Sequence, residues 1–143
     1  CDWSSDVCSS DLVGTGAGLP GIPLAILMPG SQFVLLDRSA KKTRFVRQAI
    51  LELGLANVEA VASRIEDFEP HGGAFDAILA RAFASLLEIR GMTSRLLAPE
   101  GRIAALKGRF PEDELAELGA VGAEVRPLVL PGVAVDRHLV LYR

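Results

Sequence analysis

Four short apolar runs constrain this chain more than any other feature: QFVLL at 32–36, NVEAVA at 57–62, FDAILA at 75–80 and GRIAAL at 101–106. Their length and β-branched or aliphatic content mark buried strands. Helix-like segments alternate with them. Residues 40–53 are amphipathic, with Phe45, Ala49 and Leu53 on one face and Lys41, Lys42, Arg44 and Arg47 on the others, and Gly54 caps the segment. Residues 21–28 read as a short apolar helix ended by Pro29-Gly30, and 85–97 as a helix stopped by Pro99. Residues 111–118 form a short helix whose first turn is acidic, as the helix dipole prefers. The tail breaks the alternation. Strand-like stretches at 124–130 and 138–142 are separated by Pro131-Gly132 and a connection too short for a helix, so they pair antiparallel. The expected fold is α/β: a mostly parallel, doubly wound sheet closed by a reversed terminal strand.

A length of 143 residues suits one domain, and 50% hydrophobic residues suit a packed core. The longest apolar stretch, 22–28, contains Pro23 and is far too short to span a bilayer. No cationic start leads into an apolar run, so the chain reads as soluble and cytoplasmic, with no membrane partner. Residues 1–12 differ from the rest. They hold SSD twice, both cysteines (Cys1 and Cys8), Trp3, and the acids Asp2, Asp6 and Asp11. The net charge of −3 comes from that head, because 18 acidic residues less these three equal the 15 basic ones. From Val13 onward no cysteine occurs, which excludes a thiol nucleophile and thiolate metal ligation there. The expected organisation is a non-native head at 1–12, resembling a translated sequencing adapter, and a partial domain at 13–143.

The domain opens on a glycine loop, Val13-Gly14-Thr15-Gly16-Ala17-Gly18-Leu19-Pro20-Gly21, with no strand-like run before it. In a doubly wound sheet such a loop lets a ligand approach the backbone outside the strand ends. Gly16, Gly18 and Gly21 fit a dinucleotide frame, and Gly14, Gly16 and Gly18 fit the form found in S-adenosylmethionine (SAM) enzymes. Asp37 stands at a ribose-binding distance in either. Asp37, Glu66 and Arg81 each follow a predicted strand, so all three face one edge of the sheet. The antiparallel tail favours the SAM frame over an NAD-dependent oxidoreductase.

The blocks VGTGAGLPGIPLAI, LLDRSAKKTRFVRQ, NVEAVASRIEDF, FDAILARAFASL, ALKGRFPEDE and RHLVLYR, in that order, resemble the RsmG (GidB) family, the methyltransferases acting on guanine N7 of small-subunit 16S rRNA. The resemblance implies a Rossmann-like class I SAM-dependent methyltransferase fold, here without the family's N-terminal helices and native first strand. It implies SAM as cofactor and small-subunit rRNA, or a 30S-type particle, as partner, acted on by a monomer. Gly14, Gly16, Gly18 and Leu19 would line the cofactor through the loop, Asp37 would take the ribose hydroxyls, and Ile65 and Glu66 would border the adenine. Arg81 would lie by the methionine end and orient the incoming base. A chain that keeps the outline of the fold without catalysis is the other alternative, given the missing front.

Guanine N7 carries a lone pair and no hydrogen, so the reaction requires no general base. His71, in a Pro-His-Gly-Gly turn, and His138 belong to no nucleophile–base pair. Asp67, Glu69 and His71 alternate without metal-ligand geometry, and no metal is implied. For RNA phosphates the expected cations are Lys107 and Arg109 after the fifth strand, and then Lys41 and Lys42, which equally suit a solvated helix face. Phe83 and Phe110 are the aromatic residues near that edge.

Overall fold

The structure is a computed structural model that describes residues 9–13, 17–81, 84–119 and 122–143. Its elements run β1 (Ser9–Val13), α1 (Gly21–Leu27), β2 (Gln32–Asp37), α2 (Ala40–Leu53), β3 (Val58–Ala62), β4 (Phe75–Arg81), α3 (Leu86–Thr93), β5 (Leu97–Lys107), α4 (Glu112–Leu118), β6 (Glu124–Pro127) and β7 (His138–Tyr142). Single 3₁₀ turns follow β3 (Ile65–Asp67) and α3 (Ser94–Leu96).

Seven strands make one sheet in the order β3-β2-β1-β4-β5-β7-β6. β1 to β5 are parallel to one another, and β7 runs antiparallel between β5 and β6. The reversed strand expected from the tail is therefore present, inserted beside its partner rather than added outside it.

The sequence shows no strand-like run before the glycine loop, yet a strand stands there. Ser9–Val13 takes the central position, paired parallel with β2 on one side and β4 on the other. Its residues carry no strand signal, yet β2 and β4 each present a ladder of main-chain groups to this slot. Backbone pairing there depends on peptide groups rather than on side chains. β1 thus straddles the boundary drawn at residue 12.

The α2 segment keeps its predicted limits for identifiable reasons. Ser39 Oγ accepts from Lys42 N at 3.4 Å at the start, and Gly54, at φ +63°, ends the helix in the left-handed conformation. Its buried face is different from the one expected. Thr43 and Val46 are buried, whereas Phe45 and Leu53 are more than half exposed. Val46 meets Phe33, Leu35 and Ala60 of the sheet, so the inward stripe is Thr43, Val46 and Ile50, at helical spacing.

The helix expected at 85–97 stops at Thr93, and β5 begins at Leu97, earlier than predicted. The β4–β5 register shifts between Phe75 and Ala77, opposite residues 97–102. Gly101 sits in that irregularity, where an added Cβ would lie 2.7 Å from Phe75 O, so only glycine fits without a shift. β6 ends at Pro127, short of the 124–130 expected. Among the described residues, no helix is long and apolar enough to cross a membrane.

Candidate active site

Strand register decides which residues meet. Val13 lies opposite Leu36 and Ala80, Asp37 opposite Ala62, and Arg81 opposite Leu106. The carboxyl ends of five parallel strands therefore form one edge, and the chain leaves each of them toward the same side. Asp37 closes β2, Arg81 closes β4, Lys107 closes β5, and Ile65 and Glu66 follow β3 by one short turn. The sequence expectation that Asp37, Glu66 and Arg81 share an edge holds in the structure.

Gly14 and Gly16 lie outside the described residues. Gly18 is buried at φ +89°, and a Cβ there would come 2.6 Å from Ile22 Cδ1. Its carbonyl accepts Ile22 N at 2.8 Å, the first bond leading into α1. The glycine is thus required by both its backbone angle and its close packing against the helix. Leu19, next in line, is about half exposed and precedes a cis peptide to Pro20.

Asp37 is 7% exposed. Its Oδ1 accepts Ser39 N at 2.8 Å, and its carbonyl accepts Ser63 N at 3.1 Å. The carboxylate is held in one orientation between β2 and the start of α2. Ile65 is buried in a cluster with Leu36, Phe68, Phe75, Ile78 and Leu96, while Glu66 beside it faces solvent. Arg81 is exposed at the end of β4. Lys41 and Lys42 are exposed in the first turn of α2, four and five residues beyond Asp37.

Lys107 is placed differently from an open phosphate contact. Its Nζ donates to Ala84 O at 2.8 Å and pairs with Glu114 at 2.8 Å, with its side chain 13% exposed. Arg109, two residues on, is exposed. Phe110 stacks edge-on against His138 at 5.7 Å, and His138 Nδ1 lies 2.9 Å from Gly108 O. Phe83 lies outside the described residues.

Three residues that sequence reasoning passed over hold this edge together. Glu114 accepts Leu86 N at 2.8 Å, and Tyr142 donates its hydroxyl to Leu86 O at 2.8 Å. Arg95 bonds the backbone after β3. Each contact joins residues 27 or more apart in sequence, so no local pattern could have announced it. A separate groove of about 780 Å³ runs along β3, lined by residues such as Phe33, Arg47, Val58 and His71. It starts at the opposite ends of β2 and β3 and includes neither Asp37 nor Arg81.

Solved structures share this architecture. A SAM-dependent methyltransferase from Aquifex aeolicus superposes with a TM-score of 0.72 at 18% identity, covering 98% of this chain and 85% of that one. TrmN from Thermus thermophilus gives 0.70 at 23% identity, over 96% of this chain and 44% of that one. The strand order, the reversed β7 and these likenesses define the class: the Rossmann-like fold of class I SAM-dependent methyltransferases. Residues 6–140 match the family described as rRNA small subunit methyltransferase G. The chain belongs to that family. Its relative in Methylococcus capsulatus, a ribosomal RNA small subunit methyltransferase G, is 58% identical over 128 residues, 89% of this chain and 62% of that protein. The relative of the same description in Nitrosococcus oceani is 51% identical over 133 residues, 92% of this chain and 62% of that protein. The chain spans about 62% of the length of these curated relatives.

Proposed function

We propose that this chain carries the catalytic domain of a SAM-dependent 16S rRNA methyltransferase that transfers a methyl group to N7 of a guanine. One observation carries the reading: Asp37, the Ile65–Glu66 turn and Arg81 converge on the carboxyl edge of a sheet whose β7 is reversed between β5 and β6. The residues present suit SAM. A fixed carboxylate accepts paired ribose hydroxyls, a buried isoleucine offers an apolar wall to adenine, and Gly18 leaves room at the turn. When bound, SAM supplies a methyl group activated by its sulfonium.

The chain's own residues then position rather than activate. Asp37 anchors the ribose, and Ile65 and Glu66 border the adenine. Leu19 and the glycine loop (Gly14, Gly16 and Gly18) line the cofactor, and Arg81 orients the guanine toward the methyl group. Guanine N7 needs no deprotonation, so the acceleration comes from holding the two reacting atoms close and aligned. Arg109, Lys41 and Lys42 supply cations for phosphates of small-subunit rRNA in a 30S-type particle. Lys107 contributes by holding Ala84, just before α3. Such a substrate places the activity in the cytoplasm, and the domain acts as a monomer.

Calorimetry with S-adenosylhomocysteine (SAH), the demethylated product, tests the reading. The chain should bind SAH, Asp37→Ala should weaken that binding at least tenfold, and NAD should not compete. Binding of NAD without SAH would overturn it. Methyl transfer to 30S-type particles by the full-length protein, strongly reduced by Arg81→Ala with the fold intact, tests the catalytic assignment.

A further inference from the structure

The segment after β3 cannot hold its own shape. The Ile65–Asp67 turn is three residues long, and its internal bonds, Asp67 N to Arg64 O and Phe68 N to Ile65 O, are both 3.3 Å. These lie at the long end of the range for such bonds. The apolar side is well fixed: Ile65 and Phe68 are each 7% exposed, and Phe68 stacks on Phe75 with ring centroids 6.3 Å apart. The polar side is a row of carbonyls at the end of a turn, where helical partners run out.

Arg95 fills that role from another part of the chain. Its Nη2 donates to Ile65 O at 2.6 Å, to Phe68 O at 2.8 Å and to Glu66 O at 3.1 Å. Nη2 carries two hydrogens, so one of them is shared between carbonyls. Nη1 pairs with Glu69 Oε1 at 3.2 Å, a contact to a side chain that is 84% exposed and so of little energetic weight. The base of Arg95 is rigid, since its neighbour Leu96 is buried in the same cluster as Ile65 and Phe68. Backbone and guanidinium are therefore tied to one apolar core from two sides.

We infer that Arg95 is a positioning residue for the adenine side of the cofactor site: its guanidinium, bonded to the carbonyls of Ile65, Glu66 and Phe68, fixes the turn that borders the base. The inference rests on the assignment of Ile65 and Glu66 to the adenine. Arg95 touches no reacting atom. It sets how much ordering the turn must undergo when a nucleoside binds, which appears as affinity.

The test uses the 143-residue chain with two ligands that share the adenosine, SAH and 5′-methylthioadenosine. Arg95→Met should weaken both by about the same factor, on the order of tenfold, as expected for losing charge-assisted bonds that order a turn. Hydrogen exchange of the amides of Glu66 to Phe68 should speed up in the ligand-free variant. Arg95→Lys, which keeps charge and stem but not the fork, should lose a smaller factor, and it serves if the methionine variant does not fold. Glu69→Gln should leave both affinities within about twofold, because the ion pair is exposed. Arg95 variants that bind both ligands like the wild type, or that weaken SAH but not 5′-methylthioadenosine, would overturn the inference while leaving the methyltransferase reading intact. A wild-type chain that binds neither ligand would overturn both.

Discussion

Lys107 Nζ lies 2.8 Å from a carboxylate oxygen of Glu114, and the two residues together hold the entry to α3 at Ala84 and Leu86. Lys107 donates to Ala84 O, and Glu114 accepts Leu86 N, each at 2.8 Å. A half-buried ion pair of this kind is costly to break from one side, since the remaining charge and amide lose their partners.

Glu114→Ala should therefore destabilise the fold by about 2–3 kcal/mol, with Glu114→Gln costing about half as much. Urea unfolding at neutral pH measures this. A loss for the alanine variant below about 0.5 kcal/mol, the range of an ordinary surface substitution, would show that the entry to α3 is held by other means.

The Lys107–Glu114 pair also marks a limit of what the sequence could tell. Asp37 and Arg81 were legible because each ends an apolar run, and parallel strands must place such ends together. The limits of α2 were legible because Ser39 and Gly54 act through local backbone chemistry. Lys107 also ends a strand, but its partner comes from α4 and its second acceptor from the turn before α3, neither of which has a sequence signature. Phe45 was misplaced for a related reason: on a helix with apolar residues at several angles, the sheet beneath selects Val46. β1 was illegible because SSDLV is shaped by two neighbouring ladders rather than by its own preference.

Tyr142 offers a pH-dependent test. It is buried, and its hydroxyl donates to Leu86 O at 2.8 Å. Burial, reinforced by the Glu114 carboxylate, pushes its ionisation well above the ordinary value of 10.0. A group whose folded pKa is raised contributes stability that is full below the unfolded value and falls as pH rises above it. Stability should thus decline above pH 10.0, and Tyr142→Phe should flatten that decline while costing about 1–2 kcal/mol at neutral pH through the unpaired carbonyl. Tyr142 is the only tyrosine, so near-ultraviolet absorbance reports its ionisation directly. Titration near 10.0 in the native protein would contradict the buried hydrogen bond.

Gly18→Ala tests the loop. The substitution meets both an unfavourable φ of +89° and Ile22 Cδ1 at 2.6 Å, so Ile22 must move. A loss of about 1–3 kcal/mol in stability is expected, together with weaker SAH binding. Wild-type stability and affinity in this variant would mean that the turn relaxes freely.

The order of the sheet has a consequence for how the chain is made. β7 is the latest strand in sequence, yet it sits between β5 and β6, which are both synthesised before it. Until residues 138–142 emerge, β5 presents an open strand edge and β6 has no partner in the sheet. A nascent chain must carry that edge while the residues between β6 and β7 are added, and an unpaired strand edge recruits foreign strands. The five-residue β7 thus acts as a keystone, made after β5 and β6 and locking the two strands that waited for it.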